Sequence, residues 1–167
     1  MELDKNKASQ VCNSKAPSES YSEMTEMVLP NDTNLLGNLL GGRLMHWIDI
    51  AGALAASRHS NKVVATVALD SLDFKRPIKV GEFVILKAKL TWSGTTSMEV
   101  KVSVSGENAQ TGTRHQTNCA FLTYVALDEK GKPTPVPKVK PVTSEEIKDY
   151  EDAEKRRQER LKLRVCE

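Results

Sequence analysis

Asp49 stands in the middle of the most apolar stretch of this chain, GRLMHWIDIAGALAAS over residues 42–57. A carboxylate is costly to bury unpaired, so one in such a place is either partnered or functional. Its possible structural partners are His46 one turn earlier, Arg58, or a basic residue from another subunit; an outward face in water is the remaining bland option. The neighbouring residues support a functional reading. Gly41 and Gly42 open the helix, where free backbone N–H groups can approach a carbonyl oxygen and stabilise a developing oxyanion. Gly52 and Ala53 leave room one turn beyond the acid. A carboxylate that activates water, amide donors that hold an oxygen and a narrow apolar slot together suit hydrolysis of an activated acyl compound.

Other chemistries are set aside by what the 167 residues lack. There is no G-x-S-x-G nucleophile elbow, no G-x-x-x-x-G-K-[ST] phosphate loop and no G-x-G-x-x-G dinucleotide turn. His46, His59 and His115 fall on different expected elements without metal-ligand spacing. Cys12, Cys119 and Cys166 are an odd number, far apart, so neither a disulfide framework nor a zinc site is expected and the thiols read as reduced. A site without metal or cofactor follows. Lys and Arg number 24 against 22 Asp and Glu, which removes the electrostatic reason to propose a nucleic-acid binder. No run approaches a membrane span, and the first twenty residues lack the apolar centre of a signal peptide, so a soluble, cytoplasmic protein is expected.

The elements that must position these residues can be read from hydrophobic period. Residues 1–20 are polar and Lys- and Ser-rich, an expected flexible leader. Met24, Met27, Val28 and Leu29 suggest a short strand that Pro30 ends, followed by the turn-rich loop PNDTNLLGNLLGG. In the helix over 42–57, Leu44, Ile48, Ala51 and Ala55 recur at three- and four-residue steps. Trp47, Ile50 and Leu54 widen the apolar surface, so the helix is expected to be surrounded. The period then switches to two over residues 63–74, 83–92, 97–105 and 114–127, with turns near Pro77 and Gly81, at Gly94, and at Gly106 and Gly112. This is the pattern of an antiparallel sheet whose apolar face the helix covers, an α+β domain. A Pro-rich connector from Gly131 to Pro141 leads to a capping-box spacing at Thr143 and Glu146. A highly charged helix then runs to about Leu163. Its apolar residues Ile147, Tyr150, Ala153, Leu161 and Leu163 form a broken stripe, so it reads as a solvated helix docking weakly on a neighbour. Acids interspersed among Lys155, Arg156, Arg157 and Arg160 argue against a nucleic-acid or membrane surface.

The segment LPNDTNLLGNLLGGRLMHWIDIAGALAASRH, from Leu29 to His59, resembles the hotdog-fold acyl-CoA thioesterases, specifically the bacterial YciA-type enzymes and the brain-type cytosolic acyl-CoA hydrolase. Further blocks match in order: FKRP over 74–77 with Gly81, GTTSMEV over 94–100, and YVALD over 124–128 with GKP over 131–133. The resemblance covers roughly residues 21–137 and implies a hotdog fold, an antiparallel sheet wrapped around a long central helix. It implies a thioesterase domain over 21–137, set between the leader and a Pro-tethered helix over 138–167 that has no counterpart in the family's core. It further implies homodimers paired edge to edge, often three to a hexamer, with the active site at the subunit interface. Asp49 would then be general base or nucleophile, Asn34 of the facing subunit would position water or thioester, and Gly42 would donate to the oxyanion. Asn38 is a nearby polar alternative whose spacing from Gly41 suggests loop shaping. For the CoA moiety the resemblance points to Gly41, Arg58, Arg76, Thr96 and Ser97, with Lys75 a solvated charge. The expected reaction is hydrolysis of fatty acyl-CoA to fatty acid and CoA. The alternatives are a dehydratase or hydratase on the same fold, which would want a histidine such as His46 beside the acid, and a non-catalytic acyl-CoA sensor.

Overall fold

Alternation along residues 97–107 places Met98, Val100, Val102 and Val104 on one face of a strand, all fully buried, with Glu99, Lys101 and Ser103 on the other. This computed structural model describes residues 14–70, 72 and 75–163. In chain order these form β1 (Ser14–Lys15), β2 (Ser22–Met27), α1 (Gly41–Ser60), β3 (Val63–Leu69), β4 (Phe83–Ser93), β5 (Ser97–Glu107), β6 (Arg114–Leu127), β7 (Lys138–Val139) and α2 (Ser144–Leu163). Five strands make one antiparallel sheet in the order β2-β4-β5-β6-β3, and α1 packs against its inner face: the hotdog arrangement. Leu86, Ala88 and Leu90 of β4, the four buried residues of β5, and Ala120, Leu122 and Tyr124 of β6 share a core with Leu44, Ile48, Ala51 and Ala55 of α1. Asn61 ends α1 in the left-handed conformation (φ 53°), a position that asparagine tolerates better than most residues.

The helix is covered on one side only. Met45, Ile50 and Leu54 of α1 are exposed, as are Val63, Val67 and Leu69 of β3, which is an edge strand of the sheet. The expectation that α1 is surrounded is thus corrected within a single chain. Of the strand expected over 63–74, β3 spans Val63–Leu69 and Asp70 N–H still donates to Phe121 O of β6, while residues 71, 73 and 74 lie outside the described residues.

The described segments on either side of the core, residues 14–20 and 131–163, are better anchored than their composition suggests. Residues 14–20, expected within a flexible leader, are structured. Ser14–Lys15 pairs in parallel with Lys138–Val139, and a 3-10 turn over Pro17–Ser20 buries Pro17 and Ser20. Lys15 Nζ donates to the carbonyls of Arg58 and His59 at the C-terminus of α1, where a cation opposes the helix dipole. The remainder of that leader, with Cys12, and also Cys166, lie outside the described residues. The Pro-rich connector is extended but fastened: Thr134 N–H donates to Ala126 O, Val136 N–H to Thr95 O, and Val139 N–H to Ser93 Oγ.

α2 lies across the outer face of the sheet, correcting the picture of a weakly docked, solvated helix. Asp149, Ala153, Arg156 and Arg160 recur at four- and three-residue steps and so share one face. Asp149 pairs with Lys89 and Lys101, and Arg156 and Arg160 both reach Glu99, which is 1% exposed. The docking stripe is mainly charged around buried Ala153, with Tyr150 partly buried against the core, while Ile147, Leu161 and Leu163 face solvent.

Candidate active site

Asp49 is half-buried on α1, facing β3 and β6. Thr66 Oγ1 of β3 donates to its Oδ1 at 2.6 Å. From β6, the hydroxyl of the fully buried Tyr124 donates to the main-chain oxygen of Asp49 at 2.8 Å and lies 3.3 Å from Oδ1. Tyr124 crosses the helix at Gly52, where a Cβ would stand 2.3 Å from its hydroxyl. The room left by Gly52 therefore admits a tyrosine from the same chain, not the thin ligand that sequence alone allows. Burial, followed by the charge of Asp49, pushes the Tyr124 hydroxyl well above the usual tyrosine range and keeps it a neutral donor. Among the described residues no base forms an ion pair with Asp49. His46 is exposed, and Arg58 Nη1 instead donates to Tyr21 O and Ser22 Oγ, fastening β2 to the end of α1.

Asn34 belongs to an exposed loop that it shapes itself. Its Oδ1 accepts from the N–H groups of Leu36 and Asn38 at 2.9 and 3.2 Å, its N–H donates to Asn38 O, and its carbonyl accepts from Gly37, which adopts φ 72°. Only the Nδ2 amide remains for a substrate. Asn38 bridges to Lys79 and serves the loop, as its spacing suggests. Leu35 and Leu36 project fully into solvent. Asn34 and Asp49 make no bond to each other within one chain.

Buried Asp32 fixes this loop to the start of α1: it accepts from Leu29 N–H and pairs with Arg43 at 2.8 Å. Leu40 occupies the N-cap and offers no side-chain acceptor, so the amides of Gly41 and Gly42 are left without one among the described residues. A Cβ at Gly42 would meet no described atom within 4 Å, and the position is open to solvent. Gly41 lines a cleft of about 260 Å³ with Leu44, Arg76 and Ile78, which brings together two of the residues expected to contact CoA. The others lie apart. Ser97 lines a separate cleft of about 240 Å³ beside Trp92, Thr123 and Arg157, and Thr96 accepts from Ala126 N–H at the β4–β5 turn.

Two residues of this constellation escape sequence reasoning, Thr66 and Tyr124. The signals were faint: one hydroxyl in the apolar strand VVATVAL, and a phenol in the inward series Ala120, Leu122, Tyr124, Ala126. Among the described residues no group of three His, Cys, Asp or Glu side chains is disposed to hold a metal ion, and no helix is long and apolar enough to cross a membrane.

Comparison with known proteins places this geometry. The thioesterase superfamily matches residues 36–113. The uncharacterized acyl-CoA thioester hydrolase YkhA of Bacillus subtilis is 45% identical over 142 residues, covering 85% of this chain and 83% of its own. A hexameric acyl-CoA thioesterase solved in the apo state superposes with a TM-score of 0.88 at 44% identity, over 93% of this chain and 99% of that one. An acyl-CoA hydrolase of Staphylococcus aureus superposes with a TM-score of 0.85 at 36% identity, over 91% of this chain and 93% of that one. The latter was solved with butyryl-CoA and CoA, and as variants in which an aspartate, a threonine or an asparagine is replaced by alanine. The fold, the matched segments and the share of both chains they cover lead to one conclusion: this chain belongs to the acyl-CoA thioester hydrolases of the thioesterase superfamily.

Proposed function

We propose that the chain hydrolyses fatty acyl-CoA to a fatty acid and CoA at a site that two copies build together. The observation that carries this reading is the half-buried Asp49 carboxylate, held by Thr66 on the edge strand β3, whose outer side has no neighbouring strand among the described residues, beside exposed apolar residues of α1. The three positions replaced by alanine in the Staphylococcus aureus hydrolase stand at the same intervals as Asn34, Asp49 and Thr66, which supports a shared constellation. An edge strand invites pairing with another chain, and exposed Val63, Val67, Ile50 and Leu54 would be buried by it. The minimal unit is then a homodimer, and the hexameric relatives support three such dimers together.

In this reading Asp49 takes a proton from water as the water oxygen attacks the thioester carbon. Nδ2 of Asn34 from the facing subunit donates to the substrate carbonyl or to the water. The Gly42 N–H at the uncapped helix N-terminus stabilises the tetrahedral oxyanion. Collapse breaks the C–S bond, and the proton passes to the departing thiolate, giving acid and CoA. Water is the sole co-reactant, so the reaction requires no cofactor. Gly41 and Arg76 line a cleft suited to an anionic part of CoA. Thr96 and Ser97 offer hydroxyls further away, and Arg58 contributes only the donors not spent on β2.

Thiol release from acyl-CoAs of graded length tests the proposal. Asp49→Ala should abolish turnover, and full activity in that variant would sink it. Mixing inactive Asn34→Ala with inactive Asp49→Ala should restore activity in hybrids that carry one intact site; exchange of subunits without recovery would refute the shared site. A dehydratase is disfavoured because His46 makes no bond to Asp49, and tight binding without turnover would identify a sensor instead.

A further inference from the structure

We propose that Tyr124 is a positioning residue for Asp49, admitted across α1 by the missing side chain of Gly52, and that with Thr66 it commits Oδ1 so that Oδ2 is the oxygen that reacts. This rests on the reading of Asp49 above. Three geometric facts converge on it. The Tyr124 hydroxyl spans the main-chain oxygen (2.8 Å) and Oδ1 (3.3 Å) of the same residue, a bridge that locks the side-chain torsions of Asp49 onto its own backbone. Thr66 Oγ1 meets the same Oδ1 at 2.6 Å from the opposite strand, while Oδ2 has no partner among the described residues. The approach is steric in origin: a Cβ at residue 52 would lie 2.3 Å from the hydroxyl and 3.0 Å from two ring carbons of Tyr124. The glycine is otherwise unfavourable in the middle of a helix, where it lowers helix stability relative to alanine.

Such an arrangement serves a base better than it serves the core. A hydroxyl buried only for packing needs a single acceptor, which the main-chain oxygen already supplies. The second contact, with the carboxylate, sets which lone pairs face outward. The groups facing Asp49 are Thr66 from β3 and Tyr124 from β6, while His46, one turn earlier on α1, is exposed.

Tyr124→Phe keeps the ring and removes the bridge. Turnover should fall roughly tenfold, the effect expected for one hydrogen bond to a charged group at the longer end of its range. KM should change by less than about twofold, since nothing that touches substrate is altered. The melting temperature and dimer content should stay near those of the parent. Gly52→Ala should reproduce the loss of turnover by displacing Tyr124, and adding it to Tyr124→Phe should lower kcat little further. An unchanged kcat in Tyr124→Phe would overturn the proposal, as would full additivity of the two substitutions. If Asp49→Ala is inactive while Tyr124→Phe is unaffected, only the positioning role falls; if Asp49→Ala is active, the underlying reading falls first.

Discussion

Replacing Arg156 by alanine should destabilise the fold by about 2–3 kcal/mol although the residue lies far along the chain from the reacting groups. Glu99 is 1% exposed on the outer face of β5 and accepts from Arg156 Nη2 at 2.8 Å and Nε at 3.3 Å, from two nitrogens of Arg160 at 3.2 Å, and from Thr91 Oγ1 at 2.7 Å. Stripping a buried carboxylate of its only partner costs about 3–5 kcal/mol. Here Arg160 and Thr91 remain, which lowers the figure, while the stacking of Arg156 on Phe121 at 3.7 Å, worth about 0.5–1 kcal/mol, is lost as well. Removing both arginines should approach the full cost, limited by an escape: once α2 undocks, Glu99 regains water. Urea denaturation at fixed protomer concentration measures both variants, since stability of an oligomer depends on that concentration. Amide exchange along residues 144–163 should rise selectively in the double variant. A loss below about 1 kcal/mol for Arg156→Ala, or one that disappears at high salt as an exposed pair's does, would refute the claim that a charged stripe holds α2 to the sheet.

Three further outcomes are expected. Burial works to raise the Asp149 carboxyl, but hydrogen bonds from Lys101 and Lys89 override it and hold the group below its usual range. That stabilisation is present above about pH 4 and lost as pH falls through the depressed value. Asp149→Asn should therefore be less stable than the parent at pH 7, and urea midpoints of the two should converge on acidification. His59 is lowered by burial, partly offset by the Pro137 carbonyl 2.9 Å from Nε2. Its contribution is full above about pH 6.5 and declines as pH falls towards the depressed value, so His59→Gln should flatten the stability profile between pH 7 and 5; an unchanged slope would show the histidine is not the source. Thr66→Val should lower kcat about tenfold with KM nearly unchanged, read by thiol release, because it deletes the shortest bond to Asp49 while keeping the strand's shape.

Local pattern was enough to find α1, the four long strands and the charged helix to Leu163, because period and turn residues are properties of neighbouring positions. Asp49 was conspicuous for the same reason, a charge in an apolar run. Its surroundings were not legible. Tyr124 lies 75 positions away and Thr66 lies 17, and their meeting at Oδ1 depends on how the sheet curls over the helix. The glycine that admits Tyr124 looked like space, and only the fold assigns its occupant. α2 was misjudged because apolar stripes are the usual sign of docking, whereas its stripe of Asp149, Arg156 and Arg160 matches charges on strands 48 to 61 residues distant. Sequence by itself determined the elements and the acid, since these follow from short-range spacing. Tertiary structure alone decided which donors orient that acid and what covers the second face of the sheet, since such pairings follow from register and curvature that no single segment contains.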